Sequence, residues 1–170
     1  MVCGYRPTKD DPYRTRLTIG GDKLDYFRNS SSPAASLLET KLIINSVISD
    51  SQKGAKFMTI DIKDHFLQSI LPEEEYMKIH GKYFFDDIRQ KYKIDSLIHD
   101  DGYVYCKIIK GMYGLKQAVM LGRENIIRAL KPYGYLPDPM APNIWRHTSR
   151  PTKFCLCVDD FGVKKFYKPI

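Results

Sequence analysis

Apolar and polar positions repeat along this chain with two different periods, and the switches between them mark its elements. Residues 34–49, AASLLETKLIINSVIS, repeat near every 3.6 positions, so that Leu37, Leu38, Lys41, Ile44, Val47 and Ile48 fall near one stripe of a predicted helix. A second helix is predicted from about 116 to 131, with Ala118, Leu121, Asn125, Ile126, Ala129 and Leu130 along one side and Pro132-Tyr-Gly134 as its stop. Elsewhere the period shortens to two. Arg14-Thr-Arg-Leu-Thr-Ile19 alternates as a strand with Arg14 and Arg16 on one face and Gly20-Gly21 as its turn, and Phe57-Met-Thr-Ile-Asp61-Ile is a short apolar strand with a carboxylate near its end. Lys63 to Leu71 reads as a turn entering a short helix stopped by Pro72, after which Glu73-Glu-Glu75 reads as a solvated face.

Strand-like runs follow at 77–80 and 83–85, a short helix at 86–93, and a turn at Asp100-Asp-Gly102. The run from Tyr103 to Ile109 is the clearest strand of this segment. Tyr103, Tyr105, Lys107 and Ile109 share one face, and Val104, Cys106 and Ile108 the other. Residues 30–33 read as a loop whose serines cap the first helix, and residues 135–152, with four prolines, read as mostly loop plugged onto the core by Trp145. Phe154-Cys-Leu-Cys-Val158 and Phe161-Gly-Val163 read as two short strands joined by a tight turn, with Asp159 and Asp160 at its tip. No internal repeat or low-complexity tract is present.

Composition narrows the class. At 170 residues, 43% hydrophobic and 12% aromatic, the chain suits one domain or part of a larger one and can bury a core. Its 27 lysines and arginines against 20 acids give +7, which favours a polyanionic partner. No apolar run is long enough to cross a membrane and the N-terminus lacks a secretory core, so an intracellular, non-secreted protein is expected, with cytoplasm and nucleus not distinguished. Cysteines 3, 106, 155 and 157 read as small buried hydrophobes in a reducing compartment, and histidines 65, 80, 99 and 147 show no zinc-like clustering.

Three other Asp-Asp pairs, at 10–11, 86–87 and 100–101, have polar or glycine surroundings and read as solvated turns. The pair at 159–160 differs because apolar runs flank it. Two like charges set against a hydrophobic sheet are costly unless something positive neutralises them. If the strand ending at Asp61 lies beside this hairpin, three carboxylates converge, an oxygen-only set that suits magnesium or manganese and in-line phosphoryl transfer, with Arg14, Arg16 and Lys63 placed to meet a triphosphate. The alternatives are ordinary ones: Asp61 as a turn cap, the pair as a solvent-facing hairpin tip, and the arginines as one solvated strand face.

The segments Met58-Thr-Ile-Asp61-Ile-Lys-Asp-His-Phe66-Leu-Gln, Lys110-Gly-Met-Tyr-Gly-Leu-Lys-Gln-Ala118 and Leu156-Cys-Val-Asp-Asp160 resemble, in that order, three motifs of reverse transcriptases in the form found in copia-type LTR retrotransposon polyproteins. The resemblance implies an α+β fold of reverse-transcriptase-like fingers and palm, with an antiparallel palm sheet packed on helices and the thumb absent. Its segments would be a fingers-like 1–56, a palm segment 57–75, a fingers-like insertion 76–110 and a palm segment 111–170 truncated at its C-terminus. It further implies two magnesium ions, with manganese as substitute, held by Asp61, Asp159, the supporting Asp160 and the backbone carbonyl of Ile62. Arg16, assisted by Lys9 or Arg14, would meet the phosphates together with Lys63. Asp64 and His65 would lie under the triphosphate, and Phe66 would exclude a 2′-hydroxyl. Tyr113 and Gly114 would face nucleotide and template, and Lys116 and Gln117 would open the supporting helix.

The implied activity is RNA-directed DNA polymerisation on an RNA or DNA primer–template with deoxynucleotide triphosphates, the remaining polyprotein regions being needed for tight binding. The chain departs from the family pattern at Val119 and Met120, where proline and arginine are usual, and at Cys157, where an aromatic is usual. These departures and the missing thumb support the alternative expectation, a catalytically inactive retroelement remnant that acts at most as a non-specific nucleic-acid-binding module. Phe66 and Tyr113 as core aromatics, and Gly111 and Gly114 as a plain helix-start turn, are the corresponding bland readings.

Overall fold

The computed structural model describes residues 2–8, 10–21, 26 and 32–166, and of Val2 and Arg14 the backbone alone. These residues form a mixed α+β structure of three antiparallel sheets and three α-helices. A hairpin of β1 (Val2–Tyr5) and β2 (Tyr13–Arg16) stands at the N-terminus. The main sheet contains β3 (Ala55–Asp61), β6 (Tyr135–Pro137), β7 (Ile144–His147), β8 (Lys153–Cys157) and β9 (Asp160–Phe166), in the order β3-β9-β8-β7-β6. A separate ribbon pairs β4 (Ile70–His80) with β5 (Tyr103–Lys110). The helices are α1 (Leu37–Ser49), α2 (Asp86–Tyr92) and α3 (Ala118–Leu130).

Two apolar cores hold these parts. Phe66, Leu71, Ile108, Leu115 and Ala118 join the ribbon to the start of α3, while Ile126, Trp145, Phe154, Leu156 and Val163 fill the space between α3 and the main sheet. Trp145 is fully buried and stacks on Phe154 with ring centres 5.3 Å apart. It does so from a strand: the proline-rich stretch predicted as loop contains β6 and β7, which extend the sheet. Pro72, predicted to end an element, lies inside β4. The β4–β5 register breaks between Ile70 and Glu75, so the missing N–H of Pro72 costs no ladder bond.

The first helix begins at Ser36, which closes a capping box: its Oγ accepts from the Glu39 N–H at 3.2 Å, and its own N–H donates to Glu39 at 2.7 Å. Of the serines predicted as caps, Ser32 does not cap the helix, and Ser30 and Ser31 lie outside the described residues. The stripe read from periodicity also faces the wrong way. Leu37, Leu38 and Ile48 are exposed, and α1 packs on the sheet through Ile43 and through polar groups. Asn143 donates to Glu39 at 3.3 Å, and Lys164 donates to Ser46 O, Ser46 Oγ and Asp50 at 2.8, 2.5 and 2.6 Å. Lys164 is a β9 residue with a side chain only 5% exposed, so its three ammonium protons are all used where water cannot replace the partners. Nor are all four cysteines buried: Cys155 is, while Cys3 and Cys157 are exposed.

The bond from Lys164, then that from Lys53, hold the Asp50 carboxyl down to about 2. A carboxylate depressed in the folded chain contributes stability above its unfolded pKa of about 4 and loses it as pH falls towards the folded value. Asp50→Asn should therefore lower the melting temperature at pH 7, on the order of 10 °C for a stranded buried ammonium in a chain of this size. Lys164→Met should cost less, because the Asp50 it leaves is 27% exposed and keeps Lys53. Thermal melts at pH 7 and pH 3 test the order: the gap between wild type and Asp50→Asn narrows at the lower pH.

Candidate functional site

The β3–β9 ladder ends where the acids are. Its register runs from Ala55↔Phe166 to Asp61↔Asp160, so Asp61 and Asp160 stand opposite each other on neighbouring strands. Asp159 occupies the turn between β8 and β9, after Val158 at φ 60°, and its carbonyl accepts from the Ile62 N–H at 3.1 Å. One backbone bond thus fastens the strand exit at Ile62 to the hairpin tip. Beyond it, Asp64 adopts a left-handed conformation at φ 53° and a 3-10 turn carries His65 to Gln68.

A cleft of about 410 Å³ opens at this point, lined by Asp61, Ile62, Lys63, Asp64 and Asp159 on one side and by Arg6, Asp11, Arg16 and Tyr113 on the other. A smaller pocket of about 240 Å³ continues from Arg16, Asp64 and Tyr113 towards Thr15, Leu17, Leu67 and Met112. The Arg16 guanidinium lies over the Tyr113 ring at 4.7 Å, and that ring meets Phe66 edge-on at 5.1 Å. The N-terminal hairpin is anchored here by the Ile19 N–H, which donates to the Tyr113 carbonyl at 2.9 Å. Gly114, at φ +94°, brings its backbone against Ile19, where a Cβ would collide with the Ile19 carbonyl.

Not every predicted residue reaches the cleft. Phe66 is buried in the core with Leu71, Ile108, Leu115 and Ala118. Gln117 is buried and donates to Glu75 at 3.0 Å. His65 is buried with its ring against Gly122, where a Cβ would collide with it, and its Nε2 has no hydrogen-bond partner among the described residues. Burial lowers the His65 pKa, with the Asp159 charge opposing that shift, so the ring stays neutral at physiological pH. Arg16, Lys63, Asp64 and Tyr113 line the cleft. Lys9 and the Arg14 side chain lie outside the described residues. Arg6 and Asp11 were missed: only the β1–β2 pairing brings their connecting turn to the cleft, and β1 carries no alternation strong enough to reveal it.

The expected pair of magnesium ions, or manganese in their place, does not survive this geometry. Among the described residues, no group of three or more histidine, cysteine, aspartate or glutamate side chains could hold a metal ion. Asp61 and Asp159 line the cleft, whereas Asp160, the ladder partner of Asp61, is not part of that lining. The acids are near enough to repel. Burial, then the charges of Asp159 and Asp61, push the Asp160 carboxyl above the usual carboxylate range. The cleft wall answers with the cations Arg6, Arg16 and Lys63.

Comparison of the chain with protein-family models, with curated proteins and with solved structures gave no match.

A carboxyl whose pKa is raised on folding is a cost to the fold, fully present above the raised value and absent below the unfolded one. Asp160→Asn should accordingly raise the melting temperature at pH 7, and the gain should shrink as pH is lowered to about 4. A pH series of thermal melts reads it directly; identical melts at pH 7 would show that the three acids do not repel.

Proposed function

We propose that this chain is a catalytically silent relative of retroelement reverse transcriptases that acts as a non-specific nucleic-acid-binding module. The descent rests on the order of the three motif segments in the sequence and on the neighbourhood of Asp61 and Asp159 at the end of one ladder. The binding reading is carried by one observation: Arg6, Arg16 and Lys63 line a single open cleft, with Arg16 lying over the Tyr113 ring, in a chain of net charge +7. Cations grouped along a cleft take phosphates, and an aromatic ring beside them takes a base. Polymerisation would need the acids to share ions, and they are not gathered for that. A duplex or a strand held by a few phosphates binds weakly and without sequence preference, since phosphate contacts position but do not specify.

Fluorescence anisotropy with a labelled 20-mer, titrated at several salt concentrations with and without EDTA, tests this. Three phosphate contacts on a single strand predict a log–log salt slope of about −2, unchanged by EDTA. Arg6→Ala/Arg16→Ala should weaken binding about tenfold or more and flatten the slope towards about −1. Salt-independent or absent binding overturns the module, and primer extension above the level of Asp159→Asn overturns its silence.

A further inference from the structure

The outer face of the β4–β5 ribbon carries a pattern that neither strand reveals alone. Tyr76 pairs with Lys107, Lys78 with Tyr105 and His80 with Tyr103, and residues directly opposite share a face. The inner face holds Met77 with Cys106 and Ile79 with Val104, and Val104 and Ile108 are buried there. Outside, ring and cation alternate across and along the ribbon. Tyr76 is 54% exposed and Tyr105 50%, so half of each ring faces water in a place where packing does not require it.

These rings are held without being covered. Tyr76 donates its hydroxyl to Glu74 at 2.8 Å, and Glu74 also pairs with Lys107. Tyr105 donates to Asp101 at 2.8 Å, and its ring meets His99 edge-on at 5.0 Å. Lys78 lies over the Tyr103 ring at 4.7 Å. Tyr76 and Tyr105 are diagonal neighbours, about 7–8 Å apart by ribbon geometry, too far to stack on each other. Each is open to a separate flat partner, with a lysine directly across from it.

We propose that this face is a second contact surface for single-stranded nucleic acid, stacking bases on Tyr76 and Tyr105 while Lys78 and Lys107 meet the intervening phosphates. The proposal rests on the reading that the chain binds nucleic acid, and it adds a surface outside the cleft's lining. Charge complementarity at the level of the whole chain, +7, selects a polyanion as the occupant, and Lys107 and Lys78 stand directly across from Tyr76 and Tyr105. Because Glu74 and Asp101 balance the two lysines in formal charge, stacking carries more of the binding here than ion pairing does. The surface therefore prefers single strands, whose bases are free to leave one another, over duplexes.

The test is anisotropy with a dT20 oligonucleotide and with a hairpin duplex of equal length, on wild type, Tyr76→Ala/Tyr105→Ala, Tyr76→Phe/Tyr105→Phe and Arg6→Ala/Arg16→Ala, each with its circular dichroism and melt checked. The alanine pair should weaken dT20 binding on the order of tenfold or more, leave the duplex within about twofold and keep the wild-type salt slope. The phenylalanine pair should bind dT20 as wild type does. If the alanine pair binds dT20 normally while the arginine pair fails, the ribbon surface is overturned and the cleft reading stands. If wild type binds neither oligonucleotide, the nucleic-acid reading fails and takes this surface with it. Phenylalanine variants as weak as the alanine variants overturn stacking. Self-association of the wild type that the alanine pair abolishes, with dT20 binding intact, assigns the face to a second copy of the chain and overturns the proposal.

Discussion

The pairing of β3 with β9 is the constraint on which the rest of this molecule depends. It joins a strand from the first half of the chain to its last described strand in continuous register from Ala55↔Phe166 to Asp61↔Asp160. That ladder places Asp61 opposite Asp160 and lets the Asp159 carbonyl take the Ile62 N–H. It also sets Lys164 beneath α1, where three hydrogen bonds decide how the helix lies. A one-residue slip would turn Lys164 to the other face of the sheet and put Val163 or Lys165 in its place. Helix orientation and the position of the acids are therefore consequences of one register.

Most element types could be read from sequence, and the reason is local. The helices at 34–49, 86–93 and 116–131 and the strands near 57–62 and 103–109 carry their own period, so α1, α2, α3, β3 and β5 fall within a few residues of expectation. What periodicity cannot see is partnership. Helix α1 has its apolar stripe towards solvent because Asn143 and Lys164, far away in sequence, offer better partners to Glu39, Ser46 and Asp50 than the sheet offers to Leu37, Leu38 and Ile48. Pro72 was read as a stop because the register break beside it is a property of the pair β4–β5 and not of β4. Strands β6 and β7 hide among prolines, and only their neighbours in the sheet define them.

The candidate site shows the same division. That Asp61 and Asp159 should be neighbours was legible, because each ends or interrupts an apolar run of strand length. That no three acids gather to hold a metal among the described residues was not legible: it depends on how side chains are disposed where two strands meet, which motif order does not state. Motif order fixes which residues are close along the chain, whereas a metal responds to where oxygen atoms converge. Phe66 and Gln117 make the point from the other side. Both sit in motif segments beside cleft residues, yet the core takes one and Glu75 the other.

These facts define the kind of binding the protein can support. The cleft presents Arg6, Arg16 and Lys63, but it also presents Asp11, Asp61, Asp64 and Asp159, so its cations act individually and not as an unopposed positive field. On the proposed reading, each phosphate would approach one cation while passing an acid, which would limit affinity and leave sequence unread. On the same reading, the net positive charge of the chain would work at longer range, drawing a polyanion in without orienting it. Orientation would have to come from directional contacts, and the rings are the groups that could provide them: the half-buried Tyr113 under Arg16 in the cleft, and the exposed Tyr76 and Tyr105 on the ribbon. A surface that attracts by charge and orders by stacking discriminates between single and double strands more readily than between sequences, because every base offers a flat face and only an unpaired strand can turn it outward.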